Sequence, residues 1–171
     1  MATITAPPPS PTLASPRPRT ARLVRAGLWT AAADALFGLV QYVAAGVPSP
    51  VARFFQGIAS VVLGPQPDHG GAPAVALGLA LHLAVAFFWA GVFAALLARS
   101  RRLGAVLDGR HGAPKVALVY GPTIWTVMSF AVIAPLLRRP PAVDAQWWVQ
   151  FFGHVLSAGL PIALAFRTRA R

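Results

Sequence analysis

The stretch PAVALGLALHLAVAFFWAGVFAALLA, residues 73–98, decides the fold, because its only ionisable side chain is His82. A transmembrane helix needs about 20 mostly apolar residues to cross about 30 Å of hydrocarbon. This stretch is longer, so it predicts a membrane span. Small side chains let helix backbones approach closely in lipid, and we therefore expect one face of this helix to turn inward. That face recurs every four residues: Gly78, His82, Ala86, Ala90, Ala94 and Ala98.

The composition of the whole chain is typical of an integral membrane domain. Of its 171 residues, 56% are hydrophobic and 11% are charged, and the formal net charge is +11. The basic residues lie at the ends of apolar segments, a pattern of contacts to the anionic headgroups of a lipid bilayer rather than to nucleic acid. The chain contains no cysteine, which excludes disulfides, thiolate catalysis and Cys-ligated metal clusters.

Three further apolar segments complete a predicted four-span bundle. The first span covers about residues 23–46, the third about 116–137 and the fourth about 146–166. Residues 1–20 are rich in Pro, Ala, Ser and Thr, which predicts a disordered cytoplasmic tail. Residues 21–171 are then one all-α integral membrane domain.

A shorter helix is predicted between the first two spans, over about residues 50–64. Ser49 is suited to cap its N-terminus, Pro50 suits the first helical position and Gly64 suits the end. The segment is too short to cross a bilayer, and its apolar and polar residues fall on opposite sides. We expect an amphipathic helix lying at the membrane interface, with a re-entrant half-helix as the alternative.

The basic residues also predict the orientation. Both termini and the basic loop at residues 99–115 should face the cytoplasm of a bacterial cell, because cytoplasmic loops carry the excess of Lys and Arg. Twelve of the fifteen basic residues fall on that side: Arg17, Arg19, Arg22, Arg25, Arg99, Arg101, Arg102, Arg110, Lys115, Arg167, Arg169 and Arg171. Arg53, Arg138 and Arg139 fall on the other.

Ionisable residues inside the spans are costly and mark a candidate functional site. They are Asp34, His82 and His154, each on the small or polar face of its helix. Counting along the helices places the two histidines at nearly the same depth and Asp34 a little deeper. The candidate interior polar site consists of Asp34, His82, His154, Gln41, Gln150, Thr126 and Ser129.

Three functions are compatible with this site. Polar residues between helices often only hydrogen-bond their neighbours, which predicts a binding, assembly or structural membrane subunit, with a second copy or other membrane subunits as partners. The alternative is a small transporter or proton-conducting protein that uses Asp34 with the two histidines. In the third, His82 and His154 bind haem or another metal. No motif for a catalytic nucleophile, a phosphate-binding loop or a carboxylate pair is present, so no enzyme is predicted.

Two prolines inside spans predict kinks, since proline removes a backbone donor. Pro122 lies near the start of the third span and Pro161 toward the end of the fourth. Both positions are nearer the termini side of the bundle. We expect that half to be the looser one, with the kinks either opening a cavity there or fitting the helices to one another.

The spans also resemble a known family. LALHLAVAFFWAGVFA at 79–94, LVYGPTIWTVMSF at 118–130 and FFGHVLSAGLPIA at 151–163 resemble the uncharacterised small four-helix bacterial inner-membrane proteins of the YagU-like kind. The resemblance covers about residues 23–166. It implies a bacterial multi-pass inner-membrane protein and supplies no catalytic residues.

Overall fold

The computed structural model describes residues 18–64 and 70–168. These residues form helices and no strand, and the helices are α1 (Pro18–Ala44), α2 (Pro50–Leu63), α3 (Gly71–Arg99), α4 (Arg101–Asp108), α5 (Gly112–Leu137) and α6 (Ala145–Phe166). Within this described part of the chain, α1, α3, α5 and α6 are long and apolar enough to cross a membrane. The predicted all-α fold, with four spans and a short helix between the first two, is confirmed.

The helix bounds differ from the predicted ones by a few residues. The first helix begins at Pro18, so the last residues of the predicted tail are helical, whereas residues 1–17 lie outside the described part. The third helix begins at Gly71 rather than residue 73. Such shifts are expected, because apolar composition predicts the length of a span better than its exact ends.

The small face of α3 is buried from Ala74 to Ala90, as its four-residue spacing predicts. Helix α2 packs directly on this face, since a Cβ at Gly78 would overlap the backbone carbonyl of Phe55. On the opposite side, Phe88 is 60% exposed. An apolar ring with that exposure suits contact with lipid.

Helix α2 lies between α1 and α3 at the end of the bundle away from Pro18. Phe54 and Phe55 direct their rings at His82, with ring centroids 5.8 and 6.0 Å from the imidazole centroid. Gly38 of α1 leaves the space that the Phe54 ring occupies. The aromatic pair therefore reaches into the bundle, while the interfacial or re-entrant position of α2 in a bilayer stays a prediction.

The basic segment at residues 99–115 contains a helix, α4, where we predicted only a loop. Ser100 caps this helix, accepting a hydrogen bond of 3.1 Å from the backbone N–H of Leu103. Leu107, four residues beyond Leu103, is fully buried in the core. The prediction was wrong here because a capping serine followed by two leucines at helical spacing forms a short helix once the core covers them.

A cluster of buried hydrophobic side chains lies toward the end where α1 begins and α6 ends. Phe93, Leu107 and Ile162 are fully buried there, and the Tyr120 hydroxyl donates to the Trp89 carbonyl at 2.7 Å. Arg25 joins α1 to the end of α6 through a 2.6 Å hydrogen bond to the Ala165 carbonyl. The looser packing expected for this half stays a prediction.

Candidate functional site

Asp34 and His154 meet between α1 and α6. Nε2 of His154 lies 3.7 Å from Oδ1 of Asp34. The same carboxylate oxygen accepts a 2.8 Å hydrogen bond from the Ser157 hydroxyl. His154 is buried, whereas the Asp34 side chain is 27% exposed. The carboxylate is therefore held on one side by protein and open on the other.

The proton position on His154 follows from its second contact. Nδ1 lies 2.7 Å from the Gln150 carbonyl, and a carbonyl oxygen only accepts, so Nδ1 carries the proton. In neutral imidazole, Nε2 then presents a lone pair to the Asp34 carboxylate. The imidazole and the carboxylate therefore face each other across 3.7 Å, with Nε2 as the ring atom on the Asp34 side.

Two π-helical segments border this site. Met128–Ile133 interrupts α5 and Val155–Gly159 interrupts α6. A proline follows the end of each segment by two residues, Pro135 in α5 and Pro161 in α6. Proline has no backbone N–H to donate to the carbonyl four residues earlier, and its ring clashes with that carbonyl. Wider π turns are frequent at functional sites. Our prediction placed the irregularity of the third span at Pro122, but the helix is α-helical there.

Glycine at position 121 positions His154. A Cβ at Gly121 would overlap the backbone carbonyl of His154 and approach the nitrogen of Val155. The backbones of α5 and α6 therefore touch at this level. Trp125, one turn further along α5, covers the imidazole with ring centroids 5.0 Å apart and planes tilted by 37°. The histidine is fixed by backbone on one side and by an indole ring on the other.

His82 is held by a different partner. Its Nε2 donates a 2.8 Å hydrogen bond to the Ala31 carbonyl of α1, and its ring is buried between α1, α2 and α3. The structure therefore joins Asp34 directly to His154 and gives His82 a contact of its own. Haem usually binds Nε2 of histidine, and binding it here requires breaking the bond to Ala31.

The other predicted site residues divide into two groups. Gln41 belongs with α6, because its Oε1 accepts hydrogen bonds from Nε2 of Gln146 and, at 3.3 Å, from Nε2 of Gln150. The Thr126 hydroxyl instead donates to the carbonyl four residues earlier in its own helix. Ser129 is buried, and its hydroxyl has no hydrogen-bond partner among the described residues. Ser129 and Thr126 therefore form no hydrogen bond with Asp34 or His154.

One cavity of about 310 Å³ is lined by four of the seven predicted site residues. Asp34, His82, Gln150 and His154 line it, and most of its remaining wall is apolar or aromatic, including Trp89 and Trp125 of the surrounding helices. Small-molecule sites commonly have this character, with a few polar groups in an apolar cavity. The three ionisable residues inside the predicted spans thus face one space.

The predicted site left out two residues of this arrangement. Helical spacing places Ser157 on the same face as Gln150 and His154, but its hydrogen bond to Asp34 was not predicted. The contact of Trp125 with His154 could not be predicted, because a tryptophan in an apolar span can equally face lipid or pack against any neighbouring helix. Among the described residues, no group of three or more His, Cys, Asp or Glu side chains could hold a metal ion.

The fold and the site together define a class: a multi-pass helical membrane bundle with polar side chains lining a cavity between its helices. Comparison with known proteins finds no matching family model, no similar curated protein and no similar solved structure. The resemblance to YagU-like proteins accordingly rests on the sequence motifs alone.

Proposed function

We propose that the protein is a multi-pass bacterial inner-membrane protein that binds a small, largely apolar ligand in its central cavity. In the predicted topology, twelve of the fifteen basic residues fall on the same side as the two termini. This excess supports a cytoplasmic location of both termini. The motifs in spans two to four support a relationship to the YagU-like proteins. Assembly with a second copy or with other membrane subunits stays a prediction, because no contact described above depends on it.

The observation that carries this function is the shared cavity of Asp34, His82 and His154. Its walls favour an apolar body, and the Asp34 carboxylate beside His154 favours a head that is cationic or donates hydrogen bonds. A partly exposed carboxylate at the wall of an apolar cavity is suited to bind the polar head of such a ligand.

Ligand binding is tested with two probes that differ only at the head. Phenylethylamine presents an ammonium group, and ethylbenzene lacks it. Each is added to the purified protein in detergent, and the thermal midpoint and the tryptophan fluorescence are recorded, since a ligand that binds the folded state raises the midpoint. We expect the amine to bind more tightly than ethylbenzene and to change the emission of Trp89 or Trp125.

Two variants assign the preference to the carboxylate. Asp34→Asn should abolish the preference for the amine while leaving ethylbenzene binding in place. Asp108→Asn is the matched control, because this acid lies outside the cavity and accepts from the Thr168 backbone N–H. The proposal fails when neither probe binds, or when the control variant removes the preference as well.

A proton-conducting function is the second candidate, and the His154–Asp34 contact is the observation that favours it. A histidine that faces a carboxylate is a common arrangement in proton relays, and the two π-helical segments adjoin this pair. Reconstituted vesicles with an internal pH-sensitive dye test this. If the protein conducts protons, vesicles that contain it show a proton flux that the Asp34→Asn variant abolishes. A flux equal to that of vesicles without protein excludes proton conduction.

A further inference from the structure

A second cavity, of about 630 Å³, lies at the end of the bundle opposite Pro18 and Thr168. It shares no lining residue with the central cavity, so it is independent of the function proposed above. It opens at the surface, where Leu63 and Arg139 are exposed. The described residues that line it are Tyr42, Val47, Pro48, Arg53, Gln56, Gly57, Ser60, Leu63, Ala74, Leu137 and Arg139.

Arg53 contributes an unpaired guanidinium nitrogen to the lining of this cavity. Its Nη1 is buried and has no hydrogen-bond partner among the described residues. A guanidinium nitrogen removed from water without a partner is costly, and native structures normally supply one. An anion in the cavity would be such a partner.

A second guanidinium and the absence of acids strengthen this assignment. Arg139 lines the same cavity from the end of α5, and none of the described lining residues carries a carboxylate. Gln56 and Ser60 add polar side chains on α2, each already donating to a backbone carbonyl. The described lining therefore combines two guanidinium groups with apolar side chains.

The charge distribution along the chain points the same way. In the predicted topology, twelve of the fifteen basic residues lie on the cytoplasmic side, and Arg53, Arg138 and Arg139 lie on the opposite side. The positive-inside pattern does not explain arginines there. Arg53 and Arg139 both line the second cavity. Binding an anion there would explain why these two arginines lie on this side.

We propose that this second cavity binds a phosphate-type oxyanion between the guanidinium groups of Arg53 and Arg139. Arginine binds phosphate oxygens with paired N–H donors in one plane. Free inorganic phosphate and the headgroup of an anionic phospholipid offer the same oxygens. In the lipid case, Val47, Leu63 and Leu137 form an apolar wall for the chains.

Two binding measurements distinguish the sources. Equilibrium dialysis with radiolabelled inorganic phosphate is performed on the detergent-solubilised protein. In the second arm, the protein is placed in phosphatidylcholine nanodiscs containing phosphatidylglycerol, and native mass spectrometry counts the phosphatidylglycerol molecules that stay bound. A response in the first arm assigns the site to the free anion, and a response in the second alone assigns it to lipid.

Three variants localise the binding. Arg53→Gln and Arg139→Gln should each weaken it by about tenfold, the effect of losing one charge-assisted hydrogen bond. Arg138→Gln should change it less than twofold, because Arg138 is adjacent in sequence, equally exposed and outside the cavity. Arg139 is at the surface, so its variant stays informative when Arg53→Gln lowers stability. Equal losses in all three variants, or no binding in either arm, overturn the proposal.

Discussion

Nε2 of His154 lies 3.7 Å from Oδ1 of Asp34, although one residue belongs to the first long helix of the chain and the other to the last. The contact joins the first and last long helices at the level of the central cavity. It also places the one carboxylate of the predicted spans beside an imidazole. The position of His154 in this pair depends on Gly121, which lets the backbones of α5 and α6 touch.

The first prediction concerns energetic coupling between the two residues. In a double-mutant cycle of unfolding free energies, Asp34→Asn and His154→Ala should couple by about 1 kcal/mol or more, as residues in one hydrogen-bonded network do. His82→Ala and His154→Ala should add within about 0.5 kcal/mol, because His82 has its own partner at Ala31. Reversible unfolding in mixed detergent micelles supplies the free energies. Additivity in the first cycle contradicts the pair.

The second prediction concerns the contact of α5 with α6. Gly121→Ala should lower the unfolding free energy by about 1 to 3 kcal/mol, the usual range for overpacking, because the added methyl meets rigid backbone at His154. Gly91→Ala is the matched control, since it lies inside α3 with nothing within 4 Å of the new methyl. Alanine is the better helix former, so this control should not lose stability. Equal losses in both variants contradict the close approach.

The third prediction compares two buried serines. Ser157→Ala removes the hydroxyl that donates to Asp34 and should cost about 1 to 2 kcal/mol, since the carboxylate loses a charge-assisted bond. Ser129→Ala removes a hydroxyl that has no partner among the described residues, and it should be neutral or slightly stabilising. Thermal unfolding of both variants beside the wild type provides the comparison. The reverse order of stabilities contradicts the assigned hydrogen bond.

The fourth prediction is the topology in the cell. Reporter fusions after residues 66, 105, 142 and 171 should lie outside, inside, outside and inside the cytoplasm, in that order. Alternation follows from four spans, and the starting side follows from the basic residues. Alkaline phosphatase and a fluorescent protein report the two sides. The opposite alternation contradicts the orientation while leaving the bundle intact.

The candidate site was only partly accessible from the sequence. The inward faces of Asp34, His82 and His154 follow from helical spacing, because a polar group inside a span is costly anywhere but against another helix. Which of them touch does not follow. Contact between α1 and α6 depends on how far each helix is rotated about its axis, and that rotation is set by neighbours that are distant in sequence.

By itself, the sequence determined the number of spans, the short helix between the first two and the polar faces, since apolar length and spacing are properties of contiguous residues. The tertiary structure decided the rest. Close backbone contact at Gly121 sets the height of His154 against α5, and each extra residue in a π turn rotates the following side chains by about 100°. These long-range contacts pair Asp34 with His154, leave Thr126 bonded to its own helix and place the open space at the end away from the termini.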